Sequence, residues 1–287
     1  MQWLRASAKI NLTLRVIGRR GDGYHELESL IAFAGLCDWL GFEPGGDLIL
    51  EVLGPRASEA GPVDENLVVR AARSLAARIP GLRFGRFRLI KRLPAAAGLG
   101  GGSADAAAAL RLLANEARVP VDDPRLRASA RATGADVLAC LSSRARIMQG
   151  IGDKLGPAIQ LPKIFAVLVN PQVHAPTPKV FDALGLAPGS DLTPARPDPA
   201  AGFDSATVLG FLFQIRNDLE AAAIRIAPPI ATVLQRLSQI PTARITGMSG
   251  SGATCFILFN DRRSAAAARR IVAAEHPEWW VEATDLR

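Results

Sequence analysis

From Lys9 to Val16 the chain alternates, with Ile10, Leu12, Leu14 and Val16 on one side and Lys9, Asn11, Thr13 and Arg15 on the other. A period of two predicts a strand with one buried face. "DLILEVLG" and "FRLIKRLP", the second closed by Pro94, read as further strands, and "KIFAVLVNP" as a fully buried one. Helical periodicity marks "ENLVVRAARSLAARI", residues 104–116, "DPRLRASARAT", "FLFQIRNDLEAAAIRI", "PIATVLQRLSQI" and "SAAAARRIVAAEH". "ARITGMSGSGATCFILF" reads as strand, glycine loop, strand. Gly185 to Asp204 is rich in Pro, Gly and Asp without periodicity, and predicts a long surface loop. Strands and helices mix without a regular βαβ alternation, so the pattern predicts an α+β fold rather than a doubly wound sheet. A domain boundary is expected between residues 145 and 165.

Composition narrows the function. With 287 residues, 49% hydrophobic and 21% charged, the chain can bury a large core in one or two domains. Cys37, Cys140 and Cys255 are far apart and form neither a zinc pattern nor a disulfide framework, which fits a reducing cytoplasm. The start "MQWLRASAKINL" lacks a signal-peptide core, and no apolar run reaches 18 residues, so neither secretion nor a membrane span is expected. The net charge of +7 raises nucleic acid as a partner. However, the arginines are dispersed, and "RLRASARAT" spaces them like a solvated helix face, so no nucleic acid is expected. A polyanionic small substrate suits the same balance.

The stretch "PAAAGLGGGSADAAAAL", Pro94 to Leu110, carries the strongest candidate chemistry. Gly98, Gly100, Gly101 and Gly102 crowd together just before strong helix formers. Glycine loses the most freedom on folding, so a cluster implies that the backbone needs it. Strand, glycine turn and helix N-terminus together make an anion cradle, with unpaired N–H groups and the positive dipole end facing outward. Neither the Walker A loop nor the dinucleotide fingerprint fits, because Ser103 stands where Lys or Gly would be needed and Ala104 where Ser or Thr would be. Two readings stay open at this point: a phosphate cradle, and a solvated turn capped by Ser103.

Three stretches together resemble the GHMP kinases. Pro-x-x-x-Gly-Leu-Gly-Gly-Gly-Ser-x-Asp-Ala-Ala is similar to the family's ATP motif, "ASAKINLTLRVIGRRGDGYHEL" to its N-terminal motif and "GMSGSGATCFILF" to its C-terminal glycine loop. They come in the family's order and span residues 6 to 259. "AKINL", "DGYHEL", "TGADV", "GIGDKL" and "TPKVF" resemble those members that act on a cytidine diphosphate sugar alcohol in the non-mevalonate route to isoprenoids. The alternative is another small-molecule kinase of the family, of homoserine or mevalonate type. A catalytically dead nucleotide sensor is opposed by retention of both Lys9 and Asp136.

The resemblance implies a two-lobed α+β fold, with an N-terminal ATP-binding domain, 1–155, and a C-terminal ferredoxin-like domain, 156–287. It implies ATP and Mg²⁺ as cofactors and allows a homodimer. Lys9 and Asp136 match the catalytic pair, although an Asp after Gly134-Ala135 is also an ordinary helix N-cap. Pro94, Ala95, Ala96, Ala97, Gly98, Leu99, Gly100, Gly101, Gly102, Ser103 and Ala104 match the ATP loop, and Asn66 stands near adenine or caps a helix. Ser103 is the candidate Mg²⁺ ligand, whereas Asp105 reads as a dipole partner in the helix's first turn. Asn11, Tyr24, His25, Thr177, Phe181, Gly247, Ser249, Gly250, Ser251 and Gly252 fall on the substrate side. Tyr24 and Phe181 would stack on the two faces of the cytosine and His25 would read its edge. A branched side chain at Gly101 is expected to cost ATP affinity more than stability. Three departures stand out: Ser7 for the family's usual Pro, Asp153 for Glu, and "DVLAC" for Asp-Val-Pro-Phe-Phe, the last expected to reshape the wall beside Asp136.

Overall fold

The computed structural model describes residues 1–192, 205–214 and 216–287. Its strands are β1 (Gln2–Asn11), β2 (Arg15–Arg19), β3 (His25–Pro44), β4 (Ile49–Leu53), β5 (Gly85–Ile90), β6 (Arg146–Gly150), β7 (Lys154–Ala158), β8 (Ile164–Asn170), β9 (Ile245–Met248), β10 (Cys255–Phe259) and β11 (Trp280–Leu286). Its helices are α1 (Leu67–Ala76), α2 (Gly101–Glu116), α3 (Pro124–Thr133), α4 (Val137–Ser142), α5 (Thr177–Asp182), α6 (Ser205–Gln214), α7 (Glu220–Ile226), α8 (Pro229–Ser238) and α9 (Arg262–Glu275). None of the described helices is long and apolar enough to cross a membrane. Of the loop expected over Gly185–Asp204, residues 193–204 lie outside the described residues. Its described part carries a bridge between Asp191 and Gly18.

The chain packs as two compact units, and the sequence alternates between them. One comprises Met1–Lys9, Leu36–Ala95 and Gly100–Ser143; the other comprises Ile10–Gly35, Ala96–Leu99 and Arg144–Arg287. Both β1 and the 20-residue β3 pass from one unit to the other.

In the first unit, β4 runs parallel to β5, and β5 pairs antiparallel with the C-terminal part of β3. Phe42 and Phe87 meet across that pair with ring centroids 4.6 Å apart. α1 buries Val68, Ala71, Ala72 and Leu75, the i, i+3, i+4, i+7 stripe that its sequence predicts. α2 is buried almost all round, and its many alanines let neighbouring elements approach closely. α3 turns Arg125, Arg127 and Arg131 to solvent, as its arginine spacing predicts.

In the second unit, β11, β8, β10 and β9 lie side by side in that order, each pair antiparallel. With α8 between β8 and β9, and α9 between β10 and β11, this is the βαββαβ connectivity of a ferredoxin-like unit. Its core gathers Val167, Val169, Ile230, Val233, Ile257 and Val272. β2, β6 and β7 flank the first part of β3.

Three expectations need correction. Lys9–Val16 is not one half-exposed strand: the chain breaks between β1 and β2, and Lys9, Asn11 and Thr13 are only 2–3% exposed. The polar face is buried because polar partners meet it. Asn11 donates to the Ser29 hydroxyl at 2.7 Å, Ser29 donates to the Thr13 carbonyl, and the Thr13 hydroxyl accepts from Leu30 N–H. Residues 211–226 are not one helix, because α6 stops at Gln214 and α7 starts at Glu220. Asp105 is not in the first turn of α2; it is 2% exposed and faces Lys91.

That last contact belongs to a buried charge cluster. Lys91 Nζ donates to Asp38 at 2.5 Å and to Asp105 at 3.0 Å. The other Asp38 oxygen accepts from the N–H groups of Arg92 and Leu93, at 2.5 and 2.8 Å, and so fixes the chain just before the glycine loop. Burial works against the Lys91 ammonium, but the two carboxylates outweigh it and hold its pKa above the ordinary value. Burial pushes the Asp105 carboxyl up to about 7; Lys91 opposes that shift and the Asp38 charge adds to it. An acid whose folded pKa is raised from 3.8 contributes stability fully present below the unfolded value and lost as the pH rises through the folded one. The stability of the parent chain relative to Asp105→Asn, which cannot titrate, should therefore fall between about pH 4 and pH 8. Thermal melts of both across that range check this, and a constant difference would refute it. Asp38→Asn should cost about 3–5 kcal/mol at neutral pH, because it breaks a buried pair.

Candidate active site

In the first unit the site begins at the start of α2. Gly100 is its N-cap, left-handed at φ +60°, with no side-chain cap. Ser103 is the third helical residue and not the cap, so the capped-turn reading fails. The helix presents backbone N–H groups and the positive end of 16 aligned peptides without a side chain across them. A Cβ on Gly100 would lie 3.3 Å from both Cβ and Cε of Lys9 and 3.9 Å from Asp136 Oδ2. The missing side chain is what lets Lys9 pass beside the helix start.

Lys9 is buried, and its Nζ lies 3.3 Å from Asp136 Oδ2. Asp136 stands at the N-cap position of α4, yet its carboxylate makes no capping bond. The ordinary cap reading therefore gives way to a charge pair, and the Asp136 side chain, about a third exposed, remains reachable. Val137, Leu138, Ala139 and Cys140 are all buried in α4, so the departure from the family pattern repacks the core behind Asp136. Burial pushes the Cys140 thiol up to about 12, with the Asp136 charge adding to it, which leaves it a packing residue.

Not every residue of the glycine loop faces outward. Ala97, Leu99 and Ala104 are buried, whereas Ala95, Ala96 and Gly102 are exposed. Ala95 N–H donates to Glu59 at 3.0 Å. Pro94 is buried at the loop's start. A Cβ on Gly101 would point inward, 3.2 Å from Lys91 Nζ, so valine there would also strike the buried charge cluster and cost stability. Asn66 caps α1, its side chain accepting from Val68 N–H at 3.0 Å.

In the second unit the rest of the ATP motif meets the C-terminal glycine loop. The Ser249 hydroxyl donates to Gly98 O at 2.8 Å and accepts from Asn11 N–H at 3.0 Å. Thr254 N–H donates to Ala97 O. A Cβ on Gly98, at φ +75°, would come 2.3 Å from Ser249 O and 2.9 Å from Gly252 O, so only glycine fits. Gly250, at φ +59°, packs beside Gly98 and Asn11. The Ser251 and Thr177 hydroxyls bond at 2.7 Å. Gly247 is not in the loop: it pairs with Phe256 within β9, and a Cβ there would strike that ring.

His25 and Phe181 are brought together, with ring centroids 4.8 Å apart and planes 32° off parallel. Burial pushes the His25 pKa below its ordinary value and the Arg19 charge adds to this, so the imidazole is neutral at neutral pH. Its Nε2 is buried with no hydrogen-bond partner among the described residues. Tyr24 is 61% exposed. Asp153 accepts from Ile151 N–H in the turn between β6 and β7, a role that a short acid fills.

Family models match on both sides of the chain's middle: GHMP kinases N terminal domain over residues 66–144, and GHMP kinases C terminal over residues 206–278. The chain belongs to the GHMP kinase family. A relative from Xanthobacter autotrophicus, named 4-diphosphocytidyl-2-C-methyl-D-erythritol kinase, is 55% identical over 99% of this chain and 98% of its own. A crystal structure of 4-(cytidine 5'-diphospho)-2C-methyl-D-erythritol kinase is similar with a TM-score of 0.78 and 34% identity, covering 99% of each chain. Homoserine kinase from Cytophaga hutchinsonii shares the GHMP fold at a TM-score of 0.61, with 16% identity, 99% of this chain and 96% of its own covered.

Sequence reading found the GHMP glycine loops and the Lys9–Asp136 pair but missed Asp38, Lys91 and Asn217. A failure to fit an apolar period could have flagged Asp38 and Lys91, but not Asn217. Gly102 offers a test of the ATP loop. It is exposed in the first turn of α2, and its nearest neighbour to an added Cβ is Leu67 at 3.4 Å. Gly102→Ala should raise stability by about 0.5–1 kcal/mol, as alanine does in helices, yet raise the KM for ATP several-fold. An unchanged ATP KM in this variant would mean that phosphate does not approach the helix start there.

Proposed function

We propose that this chain is an ATP-dependent kinase that phosphorylates the 2-hydroxyl of 4-diphosphocytidyl-2-C-methyl-D-erythritol, in the non-mevalonate route to isoprenoid precursors. The observation that carries the reading is the Lys9–Asp136 pair beside the uncapped N-terminus of α2. The name shared by relatives that cover the whole chain at 50–56% identity favours this acceptor over homoserine or mevalonate. The division into an N-terminal domain, 1–155, and a C-terminal domain, 156–287, goes with it, and the two family models fall on either side of that boundary. A cytoplasmic location is part of the reading, supported by three buried free thiols.

Phosphoryl transfer needs positioning and charge stabilisation more than covalent chemistry. Asp136 is the carboxylate able to accept the proton of the acceptor hydroxyl as that oxygen attacks. Lys9 holds Asp136 in place and sets a positive charge where negative charge accumulates on the transferring group. The open N–H groups at Gly101 and Gly102 and the α2 dipole act on the donor phosphates in the same sense. Mg²⁺ commonly binds one or two protein oxygens together with phosphates, and the partly exposed Ser103 hydroxyl fits such a ligand. When bound, the ion would supply charge neutralisation between the phosphates.

The acceptor's base is assigned to Tyr24, His25 and Phe181. Stacking on aromatic faces gives affinity, and the unpartnered His25 Nε2 suits a base edge that brings its own polar atoms. Asn11, Thr177, Ser249, Gly250, Ser251 and Gly252 line the remainder of this proposed substrate side.

ADP release measured against a panel of acceptors tests the whole reading: turnover should appear with the cytidyl substrate and not with homoserine or mevalonate. Asp136→Asn loses no cap but takes the carboxylate from buried Lys9, so its melting temperature should fall, while kcat, measured where the variant is folded, falls by about 10²–10⁴. A near-normal kcat would remove Asp136 from the chemistry. Tyr24→Ala touches an exposed ring and should raise the acceptor KM by the equivalent of roughly 1–3 kcal/mol, leaving ATP KM and stability in place. Phe181→Ala should do the same but also lower stability, because Phe181 packs on the core.

A further inference from the structure

We propose that Asn217 is a positioning residue that sets the conformation of the C-terminal glycine loop from behind, with Glu220 completing the grip. The starting point is the interruption between α6 and α7, where the sequence pattern would allow one continuous helix. Arg216, Asn217 and Asp218, at this break, each hold something. Leu14 N–H donates to Arg216 O, Asp218 N–H donates to Leu14 O at 2.8 Å, and the Asp218 carboxylate accepts from Val16 N–H at 2.8 Å. The segment is thereby fixed to Leu14, just before β2, and to Val16 within it.

From that base the Asn217 carboxamide, 9% exposed, reaches the loop. Its Oδ1 accepts from Leu219 N–H at 2.9 Å, and its Nδ2 donates to Met248 O and to Gly250 O, both at 2.8 Å. The Met248 backbone N–H also faces the Glu220 carboxylate and favours its charged form, against the upward push of burial on its pKa. Met248 is thus bonded at its carbonyl and faces a carboxylate at its N–H. In a trans peptide, C=O and N–H point in opposite directions. Pinning Met248 O therefore aims Ser249 N–H away from Asn217, and that N–H donates to Thr254 O at 2.9 Å. Pinning Gly250 O aims Ser251 N–H away from Asn217 in the same manner. A cavity of about 270 Å³ lies against the clamp, with Leu12, Asn217, Glu220, Gly247 and Met248 in its wall. On that side, hydrogen bonds take the place of close packing in holding the loop.

The inference rests on the proposed function insofar as it assigns this loop to the acceptor. Asn217→Asp separates the clamp from the local turn, because it keeps the acceptor for Leu219 N–H and loses the donor to the loop. The variant should raise the acceptor KM and lower kcat by about ten-fold or more at pH 8, with ATP KM unchanged. Its activity relative to the parent should recover toward pH 5.5, where a protonated carboxyl can again donate to a carbonyl. Parent-like kinetics at pH 8, or a loss that only tracks unfolding and shows no pH recovery, would overturn the proposal. If Asn217→Asp does not fold, Glu220→Ala decides, since an unchanged acceptor KM there would overturn it equally. Hydrogen exchange by mass spectrometry gives a readout that needs no acceptor: the peptide containing residues 249–254 should exchange faster in either variant than in the parent. If the parent chain does not use the cytidyl acceptor, the functional reading fails while unchanged or faster exchange still decides the role of Asn217.

Discussion

The positive end of α2 is the feature around which the site is arranged. A buried helix of 16 residues that starts on a left-handed glycine, with no side chain folded over its first turn, is an incomplete electrostatic object. It favours an anion at that place. Nearly every unusual residue nearby either keeps this end open or tolerates its field. Gly100, for one, leaves room for Lys9. Asp38 fixes the two N–H groups that precede the loop, so the backbone enters the turn on a defined path.

The buried cluster beneath the loop answers a further electrostatic problem. A lysine under a helix N-terminus would be repelled by it, and two fully ionised carboxylates would weaken the positive field at that end. Asp38 makes three charge-compensating contacts through its two oxygens, whereas one oxygen of Asp105 has no partner. The proton therefore resides on Asp105 when one is bound, and the Lys91–Asp38 pair that remains carries no net charge. The cluster can then hold the backbone without cancelling the dipole above it.

Much of this was legible in the chain. The α1 stripe, the glycine loop followed by α2, and the strand–loop–strand of β9 and β10 follow from periodicity and glycine placement. The Lys9–Asp136 pair was legible only through resemblance, since a lysine on an alternating strand and an aspartate after glycine each have ordinary readings. The rest was hidden for identifiable reasons. β3 is buried on both faces through much of its length, so "HELESLIAFAGLCDWLGFEP" shows no period of two. Asn217 lies in a segment whose apolar spacing continues that of a helix, and nothing local reveals that its carboxamide is needed 31 residues further on. Buried polar partnerships between distant segments leave no periodic signal at all.

The pairing of β11 has a consequence for the order of events when the protein is made. Leu286 lies opposite Ala34, and Phe33 and Arg287 exchange backbone hydrogen bonds in both directions. A segment near the beginning of the chain thus waits for one near its end. While a nascent chain is being extended on the ribosome, the first unit can close once Ser143 has emerged, but the second keeps one edge of β8 and a stretch of β3 unpaired until residues 280–287 appear. Such non-local pairing makes for slow closure and leaves open sheet edges exposed to other chains in the meantime. The same topology that joins the two glycine motifs makes the second unit the late and aggregation-exposed half of synthesis.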